Sequence, residues 1–249
     1  MKLSIITINL NNATGLQKTI ESVINQTYSD YEYIIIDGAS TDGSNEIISQ
    51  YKNKRIKSIS EKDHGIYNAM NKGILISSGE YLLFLNSGDF LYSSEILNKV
   101  FSKSFDTDLM CFALKIELLD KKESFIYSIK TKYITNKYMF YQTIPHPSTL
   151  IKRDLFFKFG LYDESFKIAG DYEFFVKIIK NKVSYEIDPL VLSVFNNQGI
   201  SYTLLKLVNA ENRKIREHYF YVRSFLSKLY IIRIFLSGLH QKLKGKQVS

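Results

Sequence analysis

The first hundred residues alternate short apolar runs with helical patterns, and that alternation constrains the fold more than any other feature of the chain. "KLSIITIN" is a continuous β-branched run, as expected of a strand buried on both faces. Thr14 and Gln17 have the spacing of a capping box for a helix that uses Leu16, Ile20, Val23 and Ile24. "YEYIII" reads as a second strand, and the loop "DGASTDGS" separates it from a helix that starts near Ser44 and carries Ile47, Ile48 and Tyr51. "RIKSIS" is a third strand, "GIYNAMNKGILIS" a helix with Ile66, Met70, Gly73 and Ile74 on one side, and "YLLFL" another buried strand. Such alternation predicts an α/β fold, a parallel sheet covered by helices on both faces.

The second half is less regular. "LMCFALKIELL" and "SFIYSI" read as strands of a mixed portion, "DYEFFVKIIKN" as an amphipathic helix, and "VSYEID" and "LVLSVF" as two further strands. From about Thr203 the chain turns helical and rich in aromatic and basic residues. With 249 residues and 45% hydrophobic content the chain can bury a full core, so the expected division is one main domain over 1–202, with halves 1–100 and 101–202, and a tail over 203–249. The single cysteine, Cys111, lies in an apolar run, which rules out a disulfide framework or a cysteine-based zinc site and reads as a core thiol.

Charge is unevenly placed. Residues 201–249 hold 10 Lys and Arg against 2 Asp and Glu, which accounts for the whole net charge of +8. A neutral body with a basic tail argues against nucleic acid as a partner, because nucleic-acid-binding domains spread positive charge over the folded binding face. No run of 18 apolar residues exists, and "MKLSIITINLNN" reads as a first strand, not an export signal; the expected location is cytoplasmic.

In open α/β sheets ligands bind beyond the carboxyl ends of the strands, where strand order reverses. Asp37 ends one strand, and Asp89 follows another after the turn Asn86-Ser87-Gly88, so both face the same rim. An acid there can accept a hydrogen bond from a base or a ribose hydroxyl, which suits Asp37, or hold a divalent cation that bridges diphosphate oxygens, which suits Asp89. The plain alternative is that each Asp closes a turn beside a glycine.

The order and spacing of the whole set go further. "SIITINLNNATGLQKTIESVINQTYSDYEYIIIDGASTDGS", "EKDHGIYNAMNKGILISSGEYLLFLNSGD" and "HPSTLIKRDLFFKFGLYDESFKIAGDYEFFVKI" resemble the family 2 glycosyltransferases over roughly residues 2 to 200, most of all bacterial members that build capsule, O-antigen or other exopolysaccharide. The resemblance implies a GT-A fold, a Rossmann-like, mostly parallel mixed sheet flanked by helices, here with a C-terminal helical appendage. It implies that Thr7, Asn9 and Asp37 line the nucleoside pocket, that Asp63 approaches the ribose or diphosphate, and that Ser87 belongs to the nucleotide set. "NSGD" occupies the place of the family's D-x-D metal motif but keeps only Asp89 as a charged ligand for Mn²⁺ or Mg²⁺. Gly38 is a second departure, since many relatives carry another Asp there.

Sugar transfer needs an aligned acceptor hydroxyl and a base to take its proton. Asp171, in "AGDYEFF", matches the family's base position and starts a helix, whose dipole favours the ionised form; an N-cap Asp is the local alternative. Glu173 is the fallback base. A base, as opposed to a nucleophile, implies single displacement with inversion. His146, between two prolines, is a candidate for contact with acceptor or diphosphate, or a loop-closing residue. Gly199 and Ser201 in "NNQGIS" resemble a late family segment near the diphosphate.

In the tail, Arg223, Lys228 and Arg233 interrupt the apolar residues every five positions, which suits a helix lying at a membrane interface or packed on the catalytic domain or a twin subunit. The implied partners are a nucleoside-diphosphate sugar, a UDP-sugar foremost, and a glycan or lipid-linked acceptor, with possible contact at the inner face of the cytoplasmic membrane and a possible homodimer. Two rivals are a nucleotidyltransferase, for which "TINLNNATG" lacks a basic glycine-rich phosphate loop, and a non-catalytic sugar-nucleotide or glycan-binding module.

Overall fold

A computed structural model of the chain describes residues 1–51, 56–118, 120–196, 199 and 203–220. The first part follows the expected alternation: β1 (Leu3–Asn9), α1 (Ala13–Ile24), β2 (Tyr31–Asp37), α2 (Ser44–Gln50), β3 (Ile56–Ser60), α3 (Ile66–Ile76) and β4 (Tyr81–Phe84). β1 pairs in parallel with both β2 and β4, and β2 with β3. The order β3-β2-β1-β4 therefore reverses between β1 and β4, which opens a crevice at their carboxyl ends.

The remainder comprises β5 (Phe90–Leu91), α4 (Ile96–Phe101), β6 (Leu109–Leu118), β7 (Glu123–Tyr127), α5 (Asn136–Tyr141), a 3-10 turn at His146–Ser148, β8 (Thr149–Lys152), α6 (Asp154–Phe159), α7 (Gly170–Lys180), β9 (Tyr185–Asn196) and α8 (Leu205–Phe220). β8 runs antiparallel to β4 and β6, while β9 runs parallel to β6, so the sheet is mixed beyond β4.

Both faces of the sheet are covered, and the pleat sorts the side chains. Ile6, Ile34, Ile36, Leu82 and Phe84 join the core under α3, α6 and α7. Their alternating neighbours Leu3, Ile5, Tyr33, Ile35, Tyr81 and Leu83 join a second core with Leu16, Ile20 and Val23 of α1. Cys111 is buried in the first core, and burial pushes its thiol up to about 12.

Two local expectations are corrected. α1 begins at Ala13, and its cap is Asn12, whose side chain accepts from the Gly15 N–H; Thr14 already lies within the helix, so it cannot serve as the cap of a box with Gln17. "VSYEID" and "LVLSVF" form one strand, β9. Phe112 pairs with Asp188 and Ala113 with Val191, so Pro189 and Leu190 are looped out of the ladder as a bulge. Proline has no N–H to give to a ladder, which places the irregularity there.

α8 packs on α7 and the core beneath it. Ile215 is buried, and Tyr219 and Phe220 lie against the core that includes α7. Fully burying one such aliphatic side chain contributes about 1.5–3 kcal/mol, a substantial anchor for a single helix. The stretch with Arg223, Lys228 and Arg233 lies outside the described residues. Among the described residues no helix is long and apolar enough to cross a membrane.

Candidate active site

The crevice between β1 and β4 is built from two loops bolted together by short polar side chains. Asn9, the last residue of β1, donates its amide N–H groups to Asp37 Oδ1 (2.8 Å) and to the hydroxyls of Ser44 (2.9 Å) and Ser40 (3.2 Å). Asp37 Oδ2 accepts from the Ser40 N–H (2.9 Å) and the Ser60 hydroxyl (2.7 Å). Burial alone would raise this carboxyl, but the donors from Ser40, Asn9 and Ser60 outweigh it and hold Asp37 below the usual carboxylate range. Asn11, in a left-handed conformation (φ 50), accepts from the Thr41 N–H, and Asp42 accepts from the Ala13 N–H at the start of α1. These residues were not singled out from sequence; the Asn- and Asp-rich "NLNN" and "STDG" were the available signal.

Thr7 is fully buried and shares a hydrogen bond with the Tyr33 hydroxyl (3.0 Å), so it supports the floor of the crevice from below. Asp63 is tied to Lys72 (2.8 Å), which also binds Glu61 (2.8 Å). Gly38 links Asp63 to the Asp37 loop: a Cβ at position 38 would stand 2.9 Å from Asp63 Oδ2. The acid missing at position 38 thus has a neighbouring carboxylate in the space its side chain would need.

The "NSGD" turn is held on several sides. Thr19 of α1 accepts the Gly88 N–H (2.9 Å) and donates to the Asp89 carbonyl (2.7 Å). Asn12 donates to the Ser87 carbonyl (2.9 Å), and Asn196 donates to that of Gly88 (3.1 Å). Gly88 has φ +105, which favours glycine. Thr19 stands fully buried on the apolar face of α1, and a hydroxyl in such a stripe was the sequence signal for this role. Asp89 is 6% exposed. Desolvation pushes it up to about 7, opposed only by a backbone hydrogen bond from Asn86; among the described residues no side-chain donor or cation meets it. On the same turn Asn86 Oδ1 is buried without a hydrogen-bond partner.

This turn fits a divalent cation in a particular way. Asp89 and Asn86 Oδ1 are oxygen donors of the kind Mg²⁺ and Mn²⁺ prefer. Among the described residues, however, no three His, Cys, Asp or Glu side chains converge on a metal position. A cation held here would take one or two ligands from the protein and the remainder from water or a bound phosphate, as is common for these ions.

Across the site, Asp171 lies in the first turn of α7, after the cap position Ala169, so it is free of the N-cap role. Its Oδ1 is 3.0 Å from the Tyr67 hydroxyl, which is also 2.5 Å from the Ile168 carbonyl. One phenolic proton serves both acceptors, and the shorter bond goes to the carbonyl, so Asp171 is steadied without being fully satisfied. His146 is buried, stacked on Phe84 at 4.9 Å between ring centroids, with Nε2 2.8 Å from the Tyr162 hydroxyl. Burial holds its pKa below the usual histidine value despite the charge of Asp171, which favours a neutral ring. Its ring also meets that of Tyr162 edge-on, at 5.9 Å between centroids. Glu173 points away, buried against α8, where it accepts from the Tyr219 hydroxyl and pairs with Lys177 (3.3 Å). Gly199 packs its Cα side near Phe195, and Ser201 lies outside the described residues.

The fold and these motifs have relatives. A PGL/p-HBAD biosynthesis glycosyltransferase of Mycobacterium bovis is 26% identical over 209 residues, covering 81% of this chain and 80% of that protein. An uncharacterised glycosyltransferase of Mycobacterium tuberculosis is 33% identical over 181 residues, 70% of this chain and 68% of that one. Among solved structures, S. aureus TarS 1-349 in complex with UDP-GlcNAc superposes with a TM-score of 0.61 at 18% identity over 79% of this chain, which spans 58% of the TarS chain. The mannosyltransferase PcManGT from Pyrobaculum calidifontis, in complex with GDP-Man and Mn²⁺, superposes with a TM-score of 0.63 at 15% identity over 85% of this chain and 61% of its own. These likenesses establish the GT-A fold expected from the sequence. The profile of "Glycosyl transferase family 2" matches residues 4–160, more than half of the molecule and all of the crevice from Asn9 to Asp89, and the chain belongs to that family.

Proposed function

We propose that the protein transfers a sugar, with inversion, from a nucleoside-diphosphate sugar to a hydroxyl of a glycan or lipid-linked saccharide in bacterial surface-polysaccharide synthesis. The observation that carries this reading is the state of Asp89: a buried carboxyl at the strand-switch crevice, without a side-chain donor among the described residues, beside the orphaned Asn86 Oδ1. Such a group is costly to ionise alone and is stabilised by a cation.

Asp89 and Asn86 are the residues that would hold that cation. When bound, a divalent ion neutralises the charge that develops on a leaving diphosphate. Asn9, Asp37 and Asp63 shape the nucleoside side of the crevice. The Asp37 carboxylate is fully buried and taken up by Asn9, Ser40 and Ser60, so recognition of a base or ribose runs through the groups it organises, the Ser40 and Ser60 hydroxyls among them. Asp171 takes the acceptor proton, and the Tyr67 hydroxyl sets its orientation. The nucleotide sugars bound by the two solved neighbours support a UDP- or GDP-sugar donor.

Asp171→Asn separates this reading from a binding module. Nucleotide affinity by calorimetry should stay within about twofold while turnover falls at least about a hundredfold, the usual scale of general-base loss. Undiminished turnover would remove Asp171 from the base role, and no turnover by the wild-type protein with any nucleotide sugar would favour a non-catalytic module.

A further inference from the structure

We propose that Glu211 of α8 is a positioning residue for Asp171, a proposal that rests on the reading of Asp171 as the base. Glu211 is 6% exposed, and its carboxylate collects three consecutive backbone N–H groups ahead of α7: Lys167 at 2.9 Å on Oε1, and Ile168 at 3.0 Å and Ala169 at 2.9 Å on Oε2. α7 has no side-chain cap of its own, because its cap residue is Ala169. The acid that satisfies these N–H groups therefore comes from the C-terminal helix, and its negative charge sits at the positive end of the α7 dipole.

The same segment is gripped from the other side. Tyr67 of α3 donates to the Ile168 carbonyl and reaches Asp171 Oδ1. Residues 167–171 are thus clamped between a phenol on α3 and a carboxylate on α8, and the heading of the first turn of α7 is set by both. α8 is itself fixed to α7: the Tyr219 hydroxyl donates to Glu173, and the Arg216 guanidinium lies 5.9 Å from the Tyr172 ring centroid. Glutamine at 211 cannot reproduce the clamp, since one of its ends would turn an NH₂ toward a backbone N–H.

The test compares Glu211→Gln, Asp171→Asn and the double variant in the full chain, following nucleoside-diphosphate release from UDP-GlcNAc or GDP-mannose with Mn²⁺ and water as the acceptor whose proton Asp171 takes, and amide hydrogen exchange of residues 167–169. Glu211→Gln should lower kcat about 10- to 100-fold, the scale of a small misplacement of a reacting group, with donor KM nearly unchanged. In the Asp171→Asn background the same change should cost less than about twofold, since both act through one group. Wild-type amides 167–169 should be strongly protected, and Glu211→Gln should expose them. If Glu211→Gln folds poorly, Glu211→Asp, which keeps the charge one methylene short, should show a smaller loss confined to kcat. Wild-type kcat in Glu211→Gln or Glu211→Asp, an additive loss in the double variant, a loss confined to KM, or unprotected wild-type amides would overturn the proposal while leaving Asp171 as base. Full turnover in Asp171→Asn would overturn the base reading first and this proposal with it.

Discussion

Asp37 and Asp89 sit at the carboxyl rim of the same sheet, and both are hidden from solvent, yet their surroundings have opposite effects. Asp37 is met by Asn9, the Ser40 N–H and the Ser60 hydroxyl, and these donors overcome burial and keep it ionised. Among the described residues Asp89 is met only by a backbone bond from Asn86, and burial carries it up to about 7. The contrast shows that depth does not decide the state of a buried acid; the number of donors aimed at it does. Asp37 is a satisfied organiser of the 38–44 loop. Asp89 has no side-chain donor among the described residues.

The largest expected consequence is on turnover. Asp89→Ala should lower kcat by about 100- to 1000-fold, as loss of a preorganised electrostatic stabiliser does; a small effect would erase the functional half of the contrast. Asp37→Asn should act mainly on the fold. It loses a charged acceptor of three bonds, and urea denaturation at pH 7 should register a loss of about 3 kcal/mol.

The third consequence is a difference in sign with pH. The folded pKa of Asp89 lies above its unfolded value, so its contribution is fully present below the ordinary carboxylate range and is lost as pH rises through about 7. Asp37 is depressed when folded, so its contribution is present above its unfolded value and disappears as pH falls through the lower folded one. Without metal, Asp89→Asn should therefore gain on the wild type by about 2 kcal/mol between pH 5 and pH 8, measured by denaturation at each pH. Asp37→Asn should show no such gain over that window.

The parts of this contrast that could be read from sequence are the local ones. β1 to β4 and α1 to α3 follow from period and turn chemistry within short windows, and the place of both acids follows from where those strands end. The long-range contacts that hold the site do not. Thr19 reaches Gly88 and Asp89 across the sheet edge, and Tyr67 reaches Asp171 over a separation of 104 residues. Such contacts are set by helix docking, on which local pattern is silent. The same reason hid the bulge that makes one strand of "VSYEIDPLVLSVF", because it exists only in register with β6. It also hid Glu211, whose sequence neighbours give no sign of a partner ahead of α7.

The most direct test is nucleotide binding with and without Mn²⁺, by calorimetry on UDP and GDP, for the wild type and Asp89→Asn. The account predicts that Mn²⁺ tightens binding of one diphosphate at least about tenfold in the wild type, about 1.4 kcal/mol, and that this gain vanishes in Asp89→Asn while metal-free affinity stays. Equal stimulation by Mn²⁺ in both proteins would contradict it.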